Sequence, residues 1–134
     1  MTSEGVTNRQ SRHEPTETMA RLQAAVQAKG LAVFARIDHA AGAAEVGLAL
    51  RPTDLLIFGN ARGGTPLMQA AQPVGLDLPL KMLVWQDASG QTWLSYNDPR
   101  WLVRRHGLTG ETEAITARLA TALDDLARTA GEGD

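Results

Sequence analysis

The sequence predicts an α+β fold in which hairpin-linked strands form a sheet with helices gathered on one face. Residues 80–86 and 91–96 are strand-like segments joined by Asp87–Gly90, a pattern typical of a β-hairpin. Helical hydrophobic spacing occurs both before and after this strand-rich middle of the chain. The connections after residues 39 and 59 are too irregular for a doubly wound parallel sheet, so we expect a layered α+β domain.

The first helix is predicted to begin at Pro15 and to end at Lys29. Proline is favoured at the first helical position, and Gly30 supplies the left-handed conformation that closes many helices. Met19 and Val26 lie on the same face of this helix and are expected to reach the core.

The pattern changes from helical to alternating over Leu31–His39, which predicts a strand. The alternation places His39 at the end of the apolar, core-facing side of this strand. Residues 40–47 are rich in small side chains and are predicted to form a short, closely packed helix. The next strand is predicted over residues 54–59.

Three further helices follow. Thr65–Pro66 is a cap and first-position pair that predicts a short helix to about Ala71. Asp98 and Gly107 are predicted to cap the two ends of the next helix. A final amphipathic helix is expected over about residues 111–129. Its apolar stripe consists of Ile115, Leu119, Ala122, Leu123 and Leu126.

Length and composition limit the class of protein. The 134 residues are expected to form a single domain over residues 1–134. The absence of cysteine excludes disulfides, thiol catalysis and cysteine metal sites. We expect a cytoplasmic protein, because the first residues lack the apolar core of a secretory signal and no segment is apolar enough to span a membrane. The net charge of −2 gives no basic surface for nucleic acid, and no cofactor is predicted.

The glycine-rich segment after the strand at 54–59 is the clearest candidate for a binding site. Gly59 and Gly64 have the spacing of a phosphate-binding loop, but Thr65 follows directly and the lysine of that motif is missing. A nucleoside triphosphate site is therefore not predicted. Two interpretations stay open: a structural turn, which we favour, and a weak anion site whose hydrogen-bond donors include Asn60.

Histidine and the residues at the end of the hairpin are the other candidates. His39 is interpreted either as a hydrogen-bonded core residue or as a general base. No histidine pair has the local spacing of a metal site, so no metal is predicted. Asn97 and Asp98 follow a strand, where Asp98 is expected to cap a helix and both side chains can also face a cleft. A triad of Ser95, His39 and Asp98 lacks any supporting motif.

The chain resembles the domain of unknown function 302 family over about residues 5–108. The matching stretches are residues 17–48, 51–99 and 101–108. The resemblance implies a compact α+β domain with a β-α-β(4)-α outline, an antiparallel sheet of about five strands, and a homodimer. It also implies that the polar segment Gly5–Ser11 is a strand. The recurring polar positions of the family correspond to His39, Asn60, Thr65, Asn97 and Asp98, and no catalytic role comes with them.

Three functions are therefore considered. The leading hypothesis is a protein, not assigned as an enzyme, that binds a small polar or anionic ligand in a cleft. The predicted ligand-binding residues are His39, Asn60, Gly64, Thr65, Asn97 and Asp98. The second is a hydrolase-like or isomerase-like enzyme in which His39 is the general base and Asp98 orients it. The third is a dimeric interaction module without a ligand, in which the stripe of the final helix and Trp93 form the interface.

Overall fold

A computed structural model of the protein describes residues 3–133 and shows five strands and five helices in that range. The strands are β1 (Val6–Ser11), β2 (Ala32–Asp38), β3 (Thr53–Gly59), β4 (Leu80–Gln86) and β5 (Thr92–Asn97). The helices are α1 (Pro15–Ala28), α2 (His39–Glu45), α3 (Ala61–Ala70), α4 (Pro99–His106) and α5 (Glu113–Glu132). Short 3-10 turns occupy Gln72–Asp77 and Gly110–Thr112. Residues 1, 2 and 134 of the predicted domain lie outside the described residues.

The strands form one antiparallel sheet in the order β1-β5-β4-β3-β2. This arrangement confirms the predicted α+β class, the strand number and the strand formed by the polar residues at the beginning of the chain. That segment is held by pairing with β5 from Val6↔Asn97 to Ser11↔Thr92. Its polarity is tolerated because β1 lies at the edge of the sheet, where one side of the strand is unpaired.

The core lies between one face of the sheet and the helices α1 and α5. Its fully or almost fully buried side chains come from every second residue of the central strands and from one stripe of each helix. The sheet contributes Leu56, Phe58, Met82, Val84, Leu94 and Tyr96, and the helices contribute Met19, Leu22, Val26, Leu123, Leu126, Ala127 and Ala130. Leu123 and Leu126 of the predicted stripe are buried in this core, whereas Ile115, Leu119 and Ala122 are half-buried.

Several helix ends confirm the capping signals in the sequence. Pro15 begins α1, and the Asp98 side chain accepts a hydrogen bond from the Arg100 N–H at the start of α4. Gly107 closes α4 with φ 63°, a conformation that favours glycine.

The predicted position of His39 is wrong. The residue is exposed and begins α2, after the Asp38 side chain caps that helix through the Ala41 N–H at 2.9 Å. The alternation that placed it in the core is interrupted by an irregularity between Val33 and Ala35, where β2 shifts its register against β3. An extra residue in one strand moves every following side chain to the other face, so the simple parity of the sequence no longer holds.

The start of α3 also differs from the prediction. The helix begins at Ala61 rather than after Thr65, because the Asn60 side chain caps it by accepting a hydrogen bond from the Gly63 N–H at 2.8 Å. Gly63 and Gly64 are thus part of the first helical turns and not of a loop. Pro66 lies inside the helix, where it leaves one carbonyl without its usual partner.

The antiparallel register separates the strand ends into two groups. One end of the sheet, named here the α3 edge because α3 begins there, carries the strand ends at Val6, Ala32, Gly59, Leu80 and Asn97. The opposite end, named here the hairpin edge because the β4–β5 turn lies there, carries the strand ends at Ser11, Asp38, Thr53, Gln86 and Thr92. This division decides which of the predicted site residues can meet.

Candidate functional site

His39 cannot share a site with the residues after β3. It follows Asp38, which pairs with Asp54 at the hairpin edge, whereas Gly59 pairs with Ala32 at the α3 edge. The strand between these ends has six residue steps, a separation of about 20 Å. The assumption that these two strand ends are neighbours is therefore wrong, and no single cleft contains both groups. The pairing of His39 with Asp98 in the enzyme hypothesis fails for the same reason.

Three of the predicted residues do converge. Asn60, Gly64 and Thr65 line one cavity of about 530 Å³ at the α3 edge, enclosed by α3, α5 and the ends of β2 and β4. The volume lies within the range of roughly 300–1,000 Å³ that is typical of small-molecule pockets. This cavity is named here the α3 cavity.

The walls of the α3 cavity are mainly apolar. They include Leu31, Phe34, Met68, Leu78, Pro79, Leu80 and Leu119. Phe34 is 55% exposed although it is large and apolar, and it lies at the register shift of β2. The shift directs this ring toward Gly59, where an added Cβ would lie 4.0 Å from Phe34 Cε2. An apolar ligand would cover a side chain that water now contacts.

Polar groups occupy one side of the α3 cavity. Asn60 holds the first turn of α3, and the amides at its first two positions, Ala61 and Arg62, have no partner within the helix. Arg118 lines the cavity from α5 and forms no ion pair with a described residue. The helix start and this guanidinium both favour a negative charge, so an anionic group is the natural polar end of a ligand here.

Asp98 lies in a different concave region, named here the α4–α5 cleft, of about 850 Å³. The cleft also contains Tyr96, Arg100 and Arg104, together with the surface of α5 between Glu113 and Asp124. Asp98 and the α3 residues therefore occupy the same edge of the sheet but separate cavities.

The electrostatics of the α4–α5 cleft follow from burial and pairing. Burial raises the pKa of the Tyr96 phenol, with a further contribution from the Asp124 carboxylate. Partial burial opposes the ionisation of Asp98, but hydrogen bonds from the Arg100 side chain and N–H outweigh it and lower the pKa of Asp98. Tyr96 is thus a neutral hydroxyl at neutral pH, and Asp98 is a carboxylate already held by its neighbour.

The other residues at the end of the hairpin have structural partners. Asn97 is half-buried and pairs with Val6 in the sheet. The Ser95 hydroxyl contacts Trp85 Nε1 at 2.8 Å and Asn8 Oδ1 at 2.5 Å, so it is not available to a histidine as a nucleophile. The triad considered from the sequence is therefore not assembled.

An ion-pair cluster joins the end of α4 to the 3-10 turn after α3. Asp77, in the 3-10 turn after α3, contacts Arg105 Nη1 at 2.9 Å and His106 Nε2 at 2.5 Å. Arg105 also lies over the Trp101 ring at 5.5 Å from its centroid. These contacts hold the end of α4 against the segment that leads into β4.

The sequence reasoning missed the apolar walls and Arg118. Leu78 and Leu80 precede or begin a strand, and Leu119 belongs to the helical stripe, so each has the pattern of an ordinary core residue. Arg118 is far from Asn60 in the sequence, and only the folded chain brings α5 beside α3. No local signal in the sequence distinguishes these residues from their neighbours.

Within residues 3–133, no three His, Cys, Asp or Glu side chains come together as a metal site. Over the same residues, none of the helices combines the length and hydrophobicity needed to cross a bilayer.

The fold and its cavities define a small α+β domain with an open-faced antiparallel sheet and concave sites at one sheet edge. The model of the family described as Domain of unknown function DUF302 matches residues 7–126. The chain belongs to this family. The crystal structure of an uncharacterized conserved DUF302 protein from Bacillus stearothermophilus has the same fold, with a TM-score of 0.84 at 21% identity over 96% of this chain and 99% of that one.

The chain is also similar to part of longer proteins from Brucella. It is 46% identical over 117 residues to a protein named fluoride-specific ion channel FluC 1 in Brucella suis biovar 1 (strain 1330), covering 87% of this chain and 46% of the relative. A relative with the same name in Brucella abortus biovar 1 (strain 9-941) gives 46% identity and 43% coverage of its length. This chain thus spans less than half the length of the curated relatives it matches.

Proposed function

We propose that this DUF302 protein is a small-molecule binding domain of the cytoplasm. The proposed ligand has a compact apolar body and one anionic group, and it occupies the α3 cavity. The observation that carries the proposal is the convergence of Asn60, Gly64 and Thr65 on an apolar cavity that also contains Arg118, which forms no ion pair with a described residue. His39, Asn97 and Asp98 have no part in this site, because the cavity does not contain them.

The parts of the site have different roles in the proposal. The apolar walls supply most of the binding free energy, since burial of a ligand removes their surface from water. Arg118 and the start of α3 orient the anionic group, and the Thr65 hydroxyl offers one hydrogen bond. A Cβ at Gly64 would lie in van der Waals contact with Leu78 Cδ1 at 3.5 Å and Met68 Cε at 3.7 Å, so it would occupy part of the cavity.

Medium-chain carboxylates test the proposal. We expect octanoate to bind with saturable affinity by calorimetry and to raise the melting temperature, whereas acetate, which lacks the apolar body, does neither. Arg118→Gln should weaken octanoate binding about fivefold, the scale of an exposed ion pair, and leave binding of the neutral 1-octanol unchanged. Gly64→Ala should reduce binding of both compounds by filling the cavity, without loss of stability, because alanine favours a helix.

His39→Ala is the matched control and should bind octanoate like the wild type. The proposal is refuted if octanoate does not bind at concentrations up to about 10 mM, well above the Kd of a weak specific ligand. It is also refuted if Gly64→Ala and His39→Ala change binding equally.

The uncovered face of the sheet favours association as a second function. Strand alternation places Leu55, Ile57, Leu83, Trp85 and Trp93 on the face opposite the core, where they are only half-buried. The two tryptophan rings stack with centroids 6.3 Å apart. Such a patch of large apolar and aromatic residues is characteristic of a protein interface.

The tryptophan N–H groups are already satisfied on this face. Trp85 donates to Ser95 Oγ at 2.8 Å, and Trp93 donates to Asp87 Oδ2 at 2.9 Å. A partner can therefore cover these rings without leaving a buried donor unpaired. We propose a second copy of the chain as the partner, so that the homodimer forms through this sheet face and not through α5. Light scattering should give twice the monomer mass, and a monomer at all concentrations would refute the proposal.

The longer relatives support an association role. In the Brucella proteins, the segment similar to this chain is joined to further sequence within proteins named fluoride-specific ion channels. A domain that is covalently joined to another part of a protein is held beside it at high effective concentration. Association with another chain would give this domain the same arrangement.

A further inference from the structure

The α4–α5 cleft has no role in the proposed function, yet it is larger than the α3 cavity. Its volume is about 850 Å³, within the upper part of the range of roughly 300–1,000 Å³ for small-molecule sites. Its walls come from α4, the turn that follows it and α5, with Tyr96 at the end of β5 behind them. The α3 cavity lies on another side of α5, where it is lined by Arg118, Leu119 and Ala122.

The middle of the cleft is apolar and has room because the side chains on α5 are small. Val103 and Leu108 line one wall, and Ala117 and Ala120 line the other. Larger residues on that surface of α5 would bring the helix surface into contact with α4 and close the space. This part of the cleft suits an aliphatic or aromatic side chain of limited size.

Three of the charged groups that line the cleft already have partners: Asp98, Arg100 and Asp124. Asp98 accepts hydrogen bonds from Arg100 Nε and Nη2, both at 3.0 Å. Asp124 contacts Arg9 Nη2 at 2.5 Å. Each of these carboxylates is neutralised by a guanidinium, so neither offers a free charge to a ligand.

Arg104 and Glu113 remain, and they have opposite signs. Both line the cleft, Arg104 from α4 and Glu113 from the first turn of α5, and neither forms an ion pair with a described residue. Thr109 and Thr121 add hydroxyl groups to the same lining. The cleft therefore presents an apolar middle together with one cation, Arg104, and one anion, Glu113, that form no ion pair with the residues the structure describes.

We infer that the α4–α5 cleft binds a zwitterionic small molecule of the amino-acid class with an apolar side chain. The carboxylate of the ligand pairs with Arg104, its ammonium group pairs with Glu113, and its side chain lies against Val103 and Ala120. A simple anion would satisfy only Arg104, and a simple amine would satisfy only Glu113. A zwitterion satisfies both without adding net charge to the cleft.

Leucine and two derivatives test the inference with the side chain held constant. Leucine should give saturable chemical-shift changes at cleft residues in the full-length protein. N-acetyl-leucine, which lacks the ammonium group, and leucinamide, which lacks the carboxylate, should each bind at least fivefold more weakly, the scale of one exposed ion pair. Arg104→Gln should reduce leucine binding to the level of leucinamide, and Glu113→Gln to the level of N-acetyl-leucine.

Arg118→Gln is the matched control, because it removes an unpaired arginine outside this cleft and should leave leucine binding unchanged. Arg104→Gln should in turn leave octanoate binding unchanged, so that failure of one site is distinguished from failure of the other. Absence of leucine binding at concentrations up to about 10 mM overturns the inference. Equal affinity for leucine and both derivatives overturns it as well.

Discussion

Close contacts at single residues hold β1 against α4. Gly5 has φ +77°, and a Cβ added there would lie 2.3 Å from Trp101 Cγ. The Trp101 ring thus rests directly on the backbone before β1, with Arg105 over the ring. Both the conformation and the space at this position require glycine.

We expect Gly5→Ala to lower the free energy of unfolding by at least about 2 kcal/mol, because the ring must move and the backbone is strained. Gly42 is the matched control. It lies in α2, and an added Cβ there would meet nothing within 4 Å. Gly42→Ala should raise the free energy of unfolding by up to about 1 kcal/mol. Urea unfolding measures both changes, and a neutral Gly5→Ala variant would contradict the packing described.

Residue-level prediction succeeded where a local pattern decides the structure. Asn60 and Thr65 follow a strand end, and the α3 cavity forms there, although its binding role stays a prediction. His39 was placed on the wrong face, because one extra residue in β2 reverses the alternation and leaves no mark in composition. Arg118 could not be found, because its relation to Asn60 depends on how α5 packs.

At the scale of elements, the β4–β5 hairpin is organised by one carboxylate. Asp87 accepts hydrogen bonds from Trp93 Nε1 at 2.9 Å, Ser89 Oγ at 2.8 Å and the Gln91 N–H at 3.0 Å. The bond from Trp93 is the main reason that the pKa of Asp87 is lowered to about 2. The hydrogen bonds that hold the turn and the Trp93 ring therefore depend on the ionised state of the Asp87 side chain.

This pKa shift makes the stability of the fold depend on pH in the acidic range. A carboxyl whose folded pKa lies below its unfolded value of 3.8 stabilises the fold above that value, and the stabilisation is lost as pH falls toward about 2. We expect wild-type stability to fall more steeply than that of Asp87→Asn between about pH 4 and pH 2. Thermal melts over this range measure the difference, and parallel curves for the two proteins would contradict the assignment.

The elements themselves were predictable to different degrees. The hairpin and α4 carry turn and capping residues that determine their ends locally, and both are confirmed. The start of α3 was predicted five residues late, because Thr65–Pro66 resembles a helix start while Asn60 provides the cap that is used. Two competing caps cannot be ranked from local sequence when the choice depends on packing against α5.

At the scale of the whole molecule, the two faces of the sheet are unequal. One face is covered by α1 and α5, whereas the other keeps a half-buried apolar and aromatic surface. In the strand order that creates this surface, β1 pairs with β5, although most of the chain separates the two strands in sequence. Hydrophobic periodicity cannot give that order, because it identifies strands and not their neighbours. The β-α-β(4)-α outline of the fold came instead from the resemblance to the DUF302 family.

The proposed homodimer predicts how surface charges affect the assembly. Ile37 is 41% exposed at the margin of the uncovered face, and we expect Ile37→Lys to weaken dimerisation, because a charge would be buried there. Leu76 is the matched control. It is 77% exposed in the turn packed against α3 and α4, so Leu76→Lys should leave the dimer intact. Sedimentation equilibrium measures both variants, and equal effects would exclude the sheet face as the interface.

The register shift in β2 also limits pairing between the β2 edges of different molecules. β2 is an edge strand, and a regular edge can recruit the edge strand of another molecule and so extend into a fibre. The interruption between Val33 and Ala35 breaks the row of free backbone groups, and Arg36, bound to Asp54 at 2.6 Å, adds a charge beside it. The irregularity that misled the assignment of His39 thus interrupts this edge of the sheet, so the proposed homodimer has no regular β2 edge through which to extend.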